Sequence, residues 1–197
     1  MDVDETLTPA RLRDFLAHDY PRLRLYMGET AFSTMARHCL AATEASTVRL
    51  HSRCLPEFLD LTIPFSRSPE LSGLARLEKA FHAALNAPEA GSITQVPPHA
   101  FHIALHPSVQ RVQMRTNATS IWAALTAGEL PPPPQDLDAP QELLVWRQGA
   151  ASRFRILGRE EAAALDAAAQ GEPIEIAPST ENFLRGWLEA GIISAVL

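Results

Sequence analysis

The chain has 197 residues, 46% of them hydrophobic, which suffices for one medium domain or two small ones and is not the composition of a disordered chain. It carries 17 basic and 23 acidic side chains, a net charge of −6, and neither 1–90 nor 91–197 is positive, so nucleic-acid binding by phosphate neutralisation is disfavoured. No apolar run approaches the roughly 20 residues that cross a bilayer, and the acidic opening MDVDETLTPA is not a secretory signal; no membrane role and a cytoplasmic location are expected.

Thr8 and Pro9 read as the cap and first residue of a helix whose apolar face is Leu12, Phe15 and Leu16. Pro21 opens a short helix or turn through Tyr26, interrupted at Gly28. Phe32, Met35, Ala36, Cys39 and Leu40 then follow helical spacing. A shorter helical piece holds Leu55, Phe58 and Leu59 and ends at Pro64. Ser68 and Pro69 start the strongest helix, with Leu71, Leu74, Leu77, Phe81 and Leu85 on one face. Glu78 falls between those apolar positions; it either anchors an Arg or backbone N–H groups, or lies at an exposed edge. These pieces predict a helical bundle over residues 8–88. Both cysteines, Cys39 and Cys54, are expected as buried free thiols.

Residues 91–115 predict extended structure, from the alternation of Phe101, Ile103 and Leu105 and then Val109 and Val112. Asn117 or Thr119 caps a helix bearing Ile121, Trp122 and Leu125. The stretch GELPPPPQDLDAP reads as a semi-rigid polyproline linker, because four consecutive prolines fit neither a helix nor a central strand. Leu143 to Trp146 and Arg153 to Ile156 flank a turn at Gly149 and predict a β-hairpin with Arg153 and Arg155 on one face. A helix over 159–170 ends at Gly171, and Pro173 to Ile176 predict a short strand. A last helix starts at Ser179 or Thr180, turns Phe183, Leu184, Trp187 and Leu188 inward, and is capped at Gly191 before an extended end. The organisation expected is a helical N-terminal domain over 1–128 with an extended segment at 91–115, a Pro-rich linker over 129–141, and a small α+β domain over 142–197. The fold class is thus mainly α with an α+β C-terminal part.

Catalytic signatures are sparse. His99, His102 and His106 form the closest group of histidines, but no HExxH or CxxC pattern accompanies them, and no metal site is expected. No Gly-x-Ser-x-Gly elbow, P-loop or Gly-x-Gly-x-x-Gly fingerprint is present. His51, Ser52 and Cys54 are neighbours in sequence without a third group to orient them. An enzyme acting alone is therefore disfavoured. Sixteen of the 17 basic residues are Arg, which suits bidentate recognition of an acidic peptide, although coding bias gives the same composition. A small C-terminal sheet accepts an extended peptide along an open edge, with Val145, Arg147, Arg153 and Arg155 as the candidate peptide-binding residues. An ordinary hairpin with solvated arginines fits the same residues.

The stretches YPRLRLYMGETAFSTMARHCLA, CLPEFLD and LSGLARLEKAFHAALNAPEA, then IALHPSVQRVQ, TSIWAAL and ELLVWRQG, resemble the HvfC/BufC family over roughly residues 10–195. The resemblance implies a non-catalytic partner of DUF692-like (MbnB/TglH-like) TIM-barrel oxygenases, forming a heterodimer that modifies ribosomally made peptides. This chain would bind the precursor's leader peptide; the multinuclear iron would belong to the partner, with no cofactor here. From LLVWRQGAASRFRIL to FLRGWLEAGII the chain is also similar to PqqD-like peptide-recognition elements, which implies a winged-helix-like fold with a peptide-accepting strand. The resemblance assigns the oxygenase contact to the helical half. The family's Tyr-Arg-x-Asn-like motif ahead of the first helix is not found, and its contribution is expected to be absent or replaced. The alternative is a DNA-binding transcriptional regulator. It would need a basic recognition helix, yet the final helix offers only Arg185 beside Glu181 and Glu189.

Overall fold

The computed structural model describes residues 9–42, 48–91, 93, 102–174 and 178–196. Thr8, His99, Phe101, Glu175 and Ile176 lie outside these, and with them the first helix cap and the end of the strand expected at Pro173. Among the described residues there are eight α-helices and five strands, a mixed α+β architecture. None of the described helices is long and apolar enough to cross a membrane.

The order is α1 (Pro9–Asp19), α2 (Pro21–Met27), α3 (Glu29–Ala42), α4 (Val48–Leu61), a 3-10 turn (Phe65–Arg67), α5 (Pro69–Leu85), β1 (Ile103–Leu105), β2 (Gln110–Thr116), α6 (Ala118–Ala127), β3 (Asp136–Gln148), β4 (Ala151–Ile156), α7 (Arg159–Ala169), α8 (Pro178–Glu189) and β5 (Ile193–Val196). The chain forms two compact units, one of Met1–Lys79 with Met114–Pro140, the other of Ala80–Gln113 with Gln141–Leu197. The helix α5 and the strands β2 and β3 each begin in one unit and finish in the other.

In the first unit, α1 packs on α3 and α4, and α2 on α3 and α6. Leu12, Leu16, Leu23, Phe32, Met35, Leu55 and Leu59 are buried, as their helical spacing requires. The α5 segment is enclosed on nearly every side. Leu71, Leu74, Ala75 and Leu77 are buried, and so are Glu70, Ser72 and Glu78. A Cβ on Gly73 would lie 2.9 Å from the Ala118 Cβ, so the glycine sets how closely α5 approaches α6. Farther along α5 the expected apolar face breaks down, since Leu85 is 41% exposed. Cys39 is buried, but Cys54 is exposed on α4 rather than buried, and both thiols are free. Burial pushes the Cys39 thiol up to about 11.

The segment expected as a linker over 129–141 is shorter and is tied down. Asn117 Nδ2 donates to the Pro133 carbonyl at 2.9 Å, and its Oδ1 accepts the Gln135 N–H at 3.0 Å. The side chain that was expected to cap α6 thus holds the proline run instead, and β3 already begins at Asp136. The four consecutive prolines precede the strand, where their missing N–H costs no ladder hydrogen bond, whereas Pro140 lies within β3.

In the second unit β1 pairs antiparallel with β5, Ile103 opposite Val196 and Ala104 opposite Ala195. The extended piece expected in an N-terminal domain therefore belongs with the C-terminal residues. The remaining strands run in the order β2-β3-β4. Ile103, Leu144, Trp146, Leu157, Leu165, Leu184, Trp187, Ile192 and Ile193 form one apolar cluster, which α7 and α8 close. Leu143 and Val145, at alternate positions on β3, are also fully buried. On the β4 strand beside them Phe154 packs against Phe81 of α5, ring centroids 5.7 Å apart and planes tilted by 50°. Both faces of β3 are therefore covered along Leu143–Trp146, while Arg153 and Ile156 of β4 stay exposed.

Candidate functional site

The hairpin is built locally. Gly149 adopts φ 61°, which the two-residue turn between Gln148 and Ala151 demands and which a glycine reaches without a Cβ penalty. The register follows: Leu143 opposite Ile156, Leu144 opposite Arg155, Val145 opposite Phe154 and Trp146 opposite Arg153. Leu157 donates to the Glu142 carbonyl at 2.7 Å, which marks that pair as hydrogen-bonded and fixes the alternation along the ladder. By that alternation Arg153 and Arg155 exchange backbone hydrogen bonds with β3. The main-chain groups of Ser152, Phe154 and Ile156 point away from it. Among the described residues β4 is an edge of its three-stranded sheet.

The four residues singled out in the sequence meet different fates. Val145 is fully buried on the central strand and supports the sheet instead of facing a ligand. Arg147 is not a free reader either. Its Nη1 donates to the Leu85 and Ala87 carbonyls at 3.3 and 3.1 Å, its Nη2 pairs with Glu89 at 3.0 Å, and its side chain is only 14% exposed. It closes the C-terminal end of α5, where unsatisfied carbonyls attract a cation.

Arg155 turns inward to Glu161 of α7, with both guanidinium nitrogens on the two carboxylate oxygens. Trp187 of α8 donates its indole N–H to the same carboxylate at 2.6 Å. Glu161 is buried; burial pushes its carboxyl up, but Arg155 and Trp187 together hold it below the ordinary value. The sequence carried a signal for this group, because Glu161, Leu165 and Ala168 share one helical face and a glutamate on an apolar face needs a partner.

Arg153 remains. It is exposed, and its side chain makes no hydrogen bond or ion pair among the described residues. Ile156, three positions on and on the opposite face of β4, is 58% exposed. Ser152 lies on the same face as Ile156 and anchors the strand by donating its hydroxyl to the Phe81 carbonyl at 3.0 Å. A cation without a partner among the described residues and an exposed aliphatic side chain therefore sit on one edge strand whose outward peptide groups at Ser152 and Ile156 are directed away from the sheet.

His99 of the expected group lies outside the described residues, and no metal-binding group of three appears among the described ones. His102 Nδ1 lies 2.6 Å from the Gly171 carbonyl. His106 is buried, and its Nδ1 accepts the Ser108 N–H at 3.1 Å and contacts the Ser108 hydroxyl at 2.8 Å. Ser108 is fully enclosed and its oxygen also accepts the Arg147 N–H at 3.2 Å, so this pair holds a turn and does not present a nucleophile. On α8, Arg185 pairs with Glu181 at 3.5 Å. No protein-family model and no curated protein matches this chain.

Proposed function

We propose that this chain is a non-catalytic, cytoplasmic partner subunit that binds a ribosomally made precursor peptide and presents it to a DUF692-like multinuclear iron oxygenase. The HvfC/BufC resemblance supplies the class of partner. The observation that carries peptide binding is the β4 edge, with Arg153 on it unpartnered among the described residues. An extended guest would extend the sheet through main-chain hydrogen bonds and find charge complementarity at Arg153. In this reading residues 142–197 are a winged-helix-like recognition element, the β3–β4 hairpin being its wing and α7 and α8 its helices. The helical bundle at the N-terminal end contacts the oxygenase. Tethering a mobile peptide next to the partner's iron raises its effective concentration at the reacting atoms, so the chain accelerates the reaction without contributing an acid, a base or a metal ligand.

The test is reconstitution. The full chain is combined with the iron oxygenase and the short peptide encoded beside its gene, and peptide mass is followed with and without the chain. Modification should depend on the chain, and the Ser152 and Ile156 amides should gain protection from hydrogen exchange when peptide is added. Absence of any complex, together with unaltered exchange at those amides, would refute the reading.

A further inference from the structure

Resting on that reading, we infer that the β4 edge selects its guest by a two-residue pattern, a carboxylate and an aliphatic side chain three positions apart, facing opposite sides of the guest strand. Arg153 and Ile156 define the pattern. They lie three residues apart on one strand, so their side chains point to opposite faces of the sheet. Any strand laid along β4 places the residue across from Arg153 on one of its faces and the residue across from Ile156 on the other, whichever way it runs.

The chemistry at each position follows from what is already satisfied. Arg155 has spent its guanidinium on Glu161, and Arg147 has spent its own on Glu89 and the Leu85 and Ala87 carbonyls. Arg153 alone of the three keeps its donors for a guest, and a carboxylate answers them in a bidentate fork. In antiparallel pairing Arg153 would occupy a non-hydrogen-bonded site, because its own peptide groups bond to β3. At such sites facing Cβ atoms come within about 4.5–5.5 Å. Ile156 leaves 58% of its surface in water and gains by covering it with an aliphatic partner. The order of the two residues reports strand direction: aliphatic before acidic in an antiparallel guest, acidic before aliphatic in a parallel one.

Display selection on the purified full-length chain with a random dodecapeptide library tests this. The expected result is enrichment of Asp or Glu three positions from Ile, Leu or Val, in one order. Selection repeated on Arg153→Glu should replace the acidic residue by Lys or Arg at the same spacing, and the original peptides should bind at least tenfold more weakly. Ile156→Ser should relax the aliphatic preference while leaving the acidic one, a second readout independent of the first. Peptides that bind and protect the Ser152 and Ile156 amides, but show neither the spacing nor the charge swap, overturn the pattern and leave strand addition standing. Failure to enrich any extended peptide on the wild-type chain overturns both.

Discussion

The Glu78 carboxylate accepts the Leu23 N–H at 3.0 Å from a position 55 residues away along the chain, and its other oxygen takes the Arg22 N–H at 2.8 Å. A side chain of α5 therefore does for α2 what a local cap usually does; the residue at the cap position, Tyr20, makes no side-chain cap hydrogen bond. Burial dominates the carboxyl and pushes it up to about 7, against the opposing pull of the two N–H groups.

Truncating Glu78 leaves the buried Leu23 amide and the part-buried Arg22 amide unsatisfied. Glu78→Ala should cost about 2–4 kcal/mol, read by urea unfolding. The pH dependence has a definite sign. A folded-state value raised above the unfolded one means that the stability associated with the bound proton is complete below about pH 4.5 and is lost as pH climbs through about 7. The loss amounts to about 3 kcal/mol at most, and Glu78→Gln should be flat over the same range. A wild-type chain equally stable at pH 5 and pH 8 would contradict this.

The Arg155–Glu161–Trp187 group ties β4, α7 and α8 together. Removing Glu161 strands a guanidinium and an indole N–H at once. Glu161→Ala is expected to lose about 2–4 kcal/mol, whereas replacing Arg155 and Glu161 together by apolar residues of similar volume should lose much less. Arg155→Met by itself should destabilise the fold without altering the sequence preference of any bound peptide. A change in preference equal to that of Arg153→Glu would show that Arg155 reads the guest after all.

His106 is held neutral by what surrounds it. Burial pushes its imidazole down, the Arg147 charge pushes it farther in the same direction, and Glu89 opposes. A depressed histidine contributes stability that is present above its unfolded value and lost as pH falls through the folded one. As pH falls through that depressed value, below the ordinary histidine range, the Nδ1 acceptor should be lost by protonation and the turn to Ser108 should open. NMR titration of the imidazole checks it; an ordinary or raised value would refute the hydrogen-bond assignment.

Two glycines in helices predict opposite outcomes for one substitution. Gly73→Ala should destabilise by about 1–3 kcal/mol, because the new Cβ would meet Ala118 at 2.9 Å and the Thr116 hydroxyl at 3.1 Å. Gly186 in α8 has nothing within 4 Å of the same atom, so Gly186→Ala should stabilise by about 1 kcal/mol through helix propensity alone. Thermal unfolding of the two variants decides; equal signs would refute one of the two predictions.

Spacing along the chain determined the local elements. The face of α3, the prolines that open α2 and α5, the glycines after α2 and α7, and the Gly149 hairpin all follow from interactions within a few residues, and each formed where periodicity or turn chemistry placed it; on α1 the spacing placed Leu12 and Leu16 inward, but Phe15 of the same expected face is 48% exposed. Other features needed partners brought together by the fold. Ser194 of β5 donates its hydroxyl to the Ala104 carbonyl across 90 residues, and that pairing moved β1 into the unit of the C-terminal strands. Arg147, Arg153 and Arg155 are alike in sequence. Only the arrival of the α5 carbonyls at one and Glu161 at another separates the structural arginines from the one still open to a guest. A side chain's type and strand face are set by its neighbours in sequence, but whether its charge is already answered depends on which distant group folds against it.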